Sequence, residues 1–143
     1  MRKSVAEILE EIAALKKKED KIIKLRENVS NMVMLKILQW TYDQRIKWLL
    51  PEGEVPYNPT KYLDQEGNLY NEARRLYLFV EGGNPNLKQI RREFLFIQLL
   101  ETLSPKEAQL LASVKDKKLP YKGITEKLVQ EAFPGLINEA ALI

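Results

Sequence analysis

The chain has 143 residues, 45% hydrophobic and 30% charged, with 23 Lys and Arg against 20 Asp and Glu for a formal charge of +3. Those proportions suit one ordinary globular domain, and a chain of this length buries roughly 70% of its unfolded surface, enough to fold without disulfides or a structural metal. Cys and His are both absent, which excludes zinc–thiolate sites, thiol nucleophiles, Ser-His-Asp triads and imidazole metal ligands.

Any catalysis would rest on carboxylates, Lys, Tyr or Ser/Thr, and the four Asp (Asp20, Asp43, Asp64 and Asp116) stand far apart in the chain. No enzyme, cofactor or metal is therefore expected. The absence of Cys suits a reducing cytoplasm. Met1-Arg2-Lys3 has the charge of a signal-peptide start, but Glu7, Glu10 and Glu11 fall where its apolar core would lie, so no secretion signal is expected. The longest strongly apolar run, Phe94 to Leu100, is far short of the ~20 residues that cross a bilayer, and no membrane partner is expected.

Ser4 opens a capping box with Glu7, and Val5, Ile8, Leu9, Ile12 and Leu15 follow the spacing of an amphipathic helix. Lys16-Lys17-Lys18 suits the negative end of that helix, and Asp20 is a candidate cap for a second one carrying Ile22, Ile23 and Leu25. Residues 1–28 thus read as a helical hairpin. From Met32 to Leu50 apolar residues are too dense for one stripe, which predicts a helix buried on most sides.

Residues 51–67 form the one long irregular loop. Pro51, Gly53, Pro56 and Pro59 cannot continue a helix, Tyr57, Tyr62 and Leu63 give it apolar bulk, and Asp64 to Asn68 reads as a turn. That turn lacks the Gly and Glu placement of a calcium-binding loop. Residues 68–135 form a helical core. Asn68 caps a helix bearing Leu69, Ala73, Leu76, Tyr77 and Val80, which Gly82-Gly83-Asn84-Pro85 ends. The helix from Leu87 to Thr102 has stripes at Ile90, Phe94, Ile97 and at Leu95, Leu99, Leu103. With both sides expected to be buried, it is the candidate central helix. Ser104-Pro105-Lys106-Glu107 is the strongest helix start in the chain, and Thr125 caps a last helix ended by Pro134-Gly135, with a short tail helix after Leu136. The sum is an all-α fold, a single bundle of six to seven helices over residues 1–143.

Two surfaces are candidates for function. Trp48, Pro51, Pro56, Tyr57, Pro59 and Tyr62 concentrate aromatics and prolines beside an irregular segment, as protein interfaces do. The loop from Lys115 to Lys122 carries net +3 in eight residues, so Lys115, Lys117, Lys118 and Lys122 could meet phosphates while Tyr121 stacks on a base. Arg74-Arg75 and Arg91-Arg92 could extend it as a guanidinium patch. The plainer reading of all these charges is a solvated surface with local ion pairs, and that of the aromatics is core packing.

Three stretches carry a more specific likeness: Trp48-Leu49-Leu50-Pro51-Glu52-Gly53, then Leu76 to Leu87 through Gly82-Gly83-Asn84-Pro85-Asn86, then Lys115 to Thr125 through Leu119-Pro120-Tyr121-Lys122-Gly123. From about residue 40 to 137 the sequence resembles a family of small uncharacterised proteins of T-even-like tailed phages, including phages of cyanobacteria. The resemblance implies a phage accessory protein acting in the cytoplasm of the infected bacterium or in the virion. It implies no catalytic residues. The leading expectation is a non-enzymatic protein that binds an unidentified phage or host protein through the segment 48–63, and the second is a nucleic-acid-binding accessory factor using the basic loop.

Overall fold

A computed structural model of the protein describes residues 3–59 and 67–137. Among them are α1 (Val5–Ala14), α2 (Lys18–Glu27), α3 (Met32–Tyr42), α4 (Leu69–Glu72), a 3₁₀ helix η1 (Ala73–Phe79), α5 (Gln89–Glu101), α6 (Pro105–Val114) and α7 (Glu126–Ala132). The fold is all-α. The described residues contain no β-strand, only an antiparallel bridge between Trp48 and Val80.

Local chemistry explains where four helices start. Ser4, Asn31, Ser104 and Thr125 each accept a hydrogen bond from the backbone N–H three residues on, satisfying a donor that has no partner inside the helix. Pro105 adds a preset first-turn angle to α6. One continuous hydrophobic cluster draws Leu9 and Ile12 from α1, Leu25 from α2, Ile37 and Leu38 from α3, Phe79 from η1, Phe96 and Leu100 from α5, Leu111 from α6 and Val129 from α7. Phe79 and Phe96 meet edge to face at 5.1 Å in its middle. In this packing α2 lies against α7, and α6 touches α1, α3 and α5, so α6, not α5, is the central helix.

Four expectations need correction. The helix from Met32 stops at Tyr42, not Leu50, because the Asp43 carboxylate accepts from Arg45 N and its guanidinium (2.9 and 3.0 Å) and the chain turns there, with Ile46 N bonded to Asp43 O at 3.1 Å. Lys16-Lys17-Lys18 stands at the start of α2, whose N-cap is Lys17 with no side-chain cap, and Asp20 lies inside its first turn. Asn68 does not cap α4, and the segment after it tightens into the 3₁₀ helix, which leaves Tyr77 exposed. The stripe Ile90, Phe94 on α5 faces outward, with Ile90 85% and Phe94 49% exposed. The expected tail helix lies mostly outside the described residues, as does the turn from Asp64 to Glu66.

Glu107 supplies what Asn68 does not. Fully buried, it accepts from Gly67 N (3.0 Å), Leu69 N (3.1 Å) and the Ser104 hydroxyl (3.0 Å), so one carboxylate serves the starts of both α4 and α6. Burial pushes its carboxyl above the ordinary carboxylate range, against the opposing pull of the hydrogen bonds from Ser104, Leu69 and Gly67. In the window above the ordinary value the folded protein thus binds more protons than the unfolded chain, and this group's contribution to stability falls as pH rises through its folded pKa. Glu107→Gln turns one acceptor into a donor facing an N–H. It should cost about 1–3 kcal/mol at pH 7 and flatten the pH dependence of stability on the alkaline side of the ordinary carboxylate range, both read by urea unfolding.

Gly123 sits where a Cβ would lie 2.1 Å from the Ala13 carbonyl oxygen, and its own carbonyl accepts from Lys21 Nζ at 2.9 Å. The end of α1, the start of α2 and the chain before α7 therefore meet at one backbone contact. Gly123→Ala should lower unfolding stability by about 1–3 kcal/mol, the usual cost of overpacking, in a denaturant titration.

Candidate functional site

The segment after α3 is irregular but not loose. Trp40 and Trp48 pack edge to face at 5.8 Å, Trp48 Nε1 donates to the Trp40 carbonyl (3.1 Å), and Lys36 lies over the Trp40 ring at 4.6 Å. Leu49 N donates to Phe79 O and Glu81 N to Lys47 O, both at 2.8 Å, tying residues 47–49 to the end of η1. Trp48 is thus half-buried and engaged internally.

The basic loop accounts for the rest of this order. Lys117 Nζ donates to the carbonyls of Trp40 (3.0 Å), Asp43 (2.7 Å) and Ile46 (3.0 Å). It caps the end of α3, where a cation also meets the negative end of the helix dipole. Burial lowers its pKa, while Asp43 and Glu126 oppose that shift. Its backbone stands at φ +64°, the left-handed position closing α6, with Lys117 N bonded to Val114 O and Lys118 N to Ser113 O. Glycine usually fills that position, and a lysine holds it here with a side chain directed at three carbonyls.

Lys115, with a side chain 1% exposed, donates to Pro51 O (2.9 Å), Gly53 O (2.8 Å) and Asp116 Oδ1 (2.8 Å), while Asp116 Oδ2 accepts from Gly53 N at 3.3 Å. The 51–53 turn wraps an ion pair and closes it off from water. Tyr121 is also spent inside: its hydroxyl donates to Ala6 O at 3.3 Å, and burial raises its pKa. Of the candidate phosphate contacts in this loop, only Lys118 and Lys122 point outward.

The arginine pairs divide in the same way. Arg92 is buried, donating to Leu78 O (3.0 Å), Gln89 Oε1 (2.6 Å), Asn84 O and Leu87 O (both 3.3 Å). It fixes the turn between η1 and α5, where Gly83 also passes too close to the Tyr77 carbonyl to carry a Cβ. Arg75 reaches Glu72 at 3.5 Å, Arg91 lies 5.6 Å from the Phe94 ring centre, and Arg74 is exposed. With Arg92 turned inward, the two pairs do not form one guanidinium patch.

What the pinned loop builds is a surface. Leu50, Pro51, Val55 and Pro56 line a small pocket of about 90 Å³ with Phe96 and Ile97 of α5, together with Glu54, Glu93 and Lys115, whose ammonium is engaged with Asp116 and the 51–53 turn. Ile90 and Phe94 continue from Ile97 along the same side of α5, at helical spacing, into solvent. Pro51 and Pro56 of the candidate interface thus belong to one apolar face, and Pro59 is exposed nearby in the chain. Tyr57 is half-buried, with its pKa raised by burial, and Tyr62 lies outside the described residues. Periodicity alone places Ile90 and Phe94 in the core, because it shows that two stripes exist but not which one faces inward.

Among the described residues no three or more Asp or Glu converge to hold a metal ion, and no helix is long and apolar enough to cross a membrane.

The molecule is thus an all-α protein whose described polar clusters mainly hold its own backbone, with one apolar face left open. The chain belongs to a family of unknown function, DUF6433, whose model matches residues 8–121. No curated protein and no solved structure matches it. The matched region contains the apolar face and the inward lysines.

The account of Lys117 has a direct check. Lys117→Gly relieves the left-handed backbone strain, which alone should stabilise by up to about 1 kcal/mol, but it deletes three charge-assisted hydrogen bonds. Because bonds to a charged group contribute about 1.5–3 kcal/mol each, the variant should be less stable than the parent in a denaturant titration. Equal or greater stability would show that the side chain contributes no more than the backbone strain costs, and would contradict its role as the anchor of this segment.

Proposed function

We propose that the protein is a non-enzymatic phage accessory protein that acts by binding another protein, through the face formed by Ile90, Phe94 and Ile97 of α5 with Pro51 and Pro56. The observation that carries this reading is Ile90, 85% exposed one helical turn from a half-exposed Phe94, on a helix whose opposite side carries Phe96 and Leu100 into the core. An apolar stripe of this kind beside a preformed pocket is the usual anatomy of a protein-binding patch. The pocket holds one aliphatic side chain, and Glu54 and Glu93 in its lining favour a partner with Lys or Arg next to that anchor.

The likeness of residues 40–137 to proteins of T-even-like tailed phages supports a site of action in the infected bacterial cytoplasm or in the virion. The basic-loop reading has weaker support, since Lys115, Lys117 and Tyr121 are committed to internal acceptors.

Ile90→Asp/Phe94→Asp should leave the circular-dichroism spectrum unchanged and lower the unfolding midpoint only slightly, because Ile90 faces water and Phe94 is half-exposed. Affinity capture from phage-infected cells should recover a stoichiometric partner with the parent chain and lose it with the variant. Capture by both chains alike would refute the face. A dimer of the parent that the variant abolishes, seen by sedimentation, would assign the face to a second copy and refute the proposal of a different partner.

A further inference from the structure

Away from the α5 face, five lysines line one open basin of about 340 Å³: Lys16, Lys18 and Lys21 from the start of α2, Lys122 from the chain before α7, and Lys127 from its first turn. Gly123, Thr125 and Leu128 complete the lining, and no carboxylate belongs to it. Lys18 pairs with Glu131 at 2.7 Å and Lys21 donates to Gly123 O. Lys16, Lys122 and Lys127 are exposed and form no ion pair among the described residues.

The placement runs against the local electrostatic rule. Cations are favoured at the negative end of a helix and disfavoured at the positive end, yet Lys16, Lys17 and Lys18 crowd the start of α2, which has no side-chain cap; the acids of its first turn, Glu19 and Asp20, lie outside the basin lining. Lys127 repeats the violation in the first turn of α7. Glu126, the acid in that turn, acts on Lys117 and Tyr42. Lysines from two helix starts thus converge on one spot whose lining holds no carboxylate. Bringing them together depends on the packing of α2 against α7 and on the glycine contact between Gly123 and Ala13.

We propose that this basin binds the phosphate backbone of duplex nucleic acid. Lysine ammonium groups on flexible stems are point charges suited to phosphates along a strand, without the planar fork by which arginine selects one group. The basin is open and offers neither Arg nor Asn nor Gln for base edges, so the contact is independent of sequence. Its lining also has no aromatic ring on which an unpaired base could stack, which favours duplex over single strand.

The test is fluorescence anisotropy of a labelled duplex DNA from ~50 to ~200 mM salt, the range over which phosphate contacts are displaced by counterions. Three forms of the full chain are compared: the parent, Lys16→Ala/Lys122→Ala/Lys127→Ala, and Lys47→Ala/Lys88→Ala/Lys118→Ala, which removes equal charge from exposed lysines elsewhere. The parent should bind. With ~0.9 of slope lost per phosphate contact on duplex, the basin variant should lower the log K against log salt slope by about 2–3 and weaken binding more than tenfold at the lowest salt. The control should retain most of the slope. Absence of binding by the parent at ~50 mM salt, or equal losses in both variants, would overturn the proposal. Tighter binding of single-stranded DNA, or displacement of the duplex by equimolar inorganic tripolyphosphate, would overturn the duplex assignment in favour of a strand or a compact phosphate ligand.

Discussion

Two inward-turned ammonium groups, Lys115 buried and Lys117 half-buried, hold the irregular segment 43–59 in place. Lys117 satisfies the open carbonyls at the end of α3, and Lys115 with Asp116 gathers the 51–53 turn. Taking a charge out of water costs several kcal/mol, a cost offset here because each ammonium finds three oxygens at hydrogen-bonding distance. The same arrangement removes a helix-end problem, since carbonyls left open at a helix terminus must find donors. Without these lysines, residues 43–59 would keep the apolar contacts of Trp48, Leu50, Val55 and Tyr57 with the core but lose the polar ties that set the 51–53 turn, and with it Pro51, beside α5.

The open face depends on that order. A helix packed on both sides would have no use for a proline-rich neighbour, whereas α5 buries Phe96, Leu99 and Leu100 and sends Ile90 and Phe94 outward. Arg92 ties its first turn to the Leu78 carbonyl of η1 and to Asn84 O, and Gln89 Nε2 donates to Leu49 O at 2.8 Å, so the stripe is presented by a clamped helix end. A rigid apolar patch loses little conformational entropy on binding. The charges therefore separate into two populations: an inner one that ties segments together, and an outer one that gathers at the starts of α2 and α7.

What could be read from the sequence was local. Ser4, Ser104 and Thr125 announced their helices because cap and recipient lie three residues apart, and the glycine turn after η1 was equally visible. Asp43 as the end of α3 was missed because its effect depends on Arg45 folding back onto it. The roles of Lys115 and Lys117 could not be read, because their acceptors lie 62 to 77 residues away; in the linear sequence they look like four lysines in a polar loop. The five-lysine basin was hidden for the same reason. Its members come from separate segments, and Lys16 to Lys18 fit equally well as the favourable end of α1. Glu107 was recognised as the partner of Ser104, but its second role at Gly67 and Leu69 required the tertiary structure.

The central claim is that inward lysines, and not local propensity, order the segment after α3. Amide hydrogen exchange by NMR on the parent and on Lys115→Met tests it most directly, because methionine keeps the volume and removes the charge. The Gly53 amide, bonded to Asp116, and the Asn58 amide, bonded to Glu101 Oε2 at 2.9 Å, should lose protection in the variant, while the α1 amides keep theirs. Unchanged protection at Gly53 and Asn58 in a folded Lys115→Met protein would contradict the account.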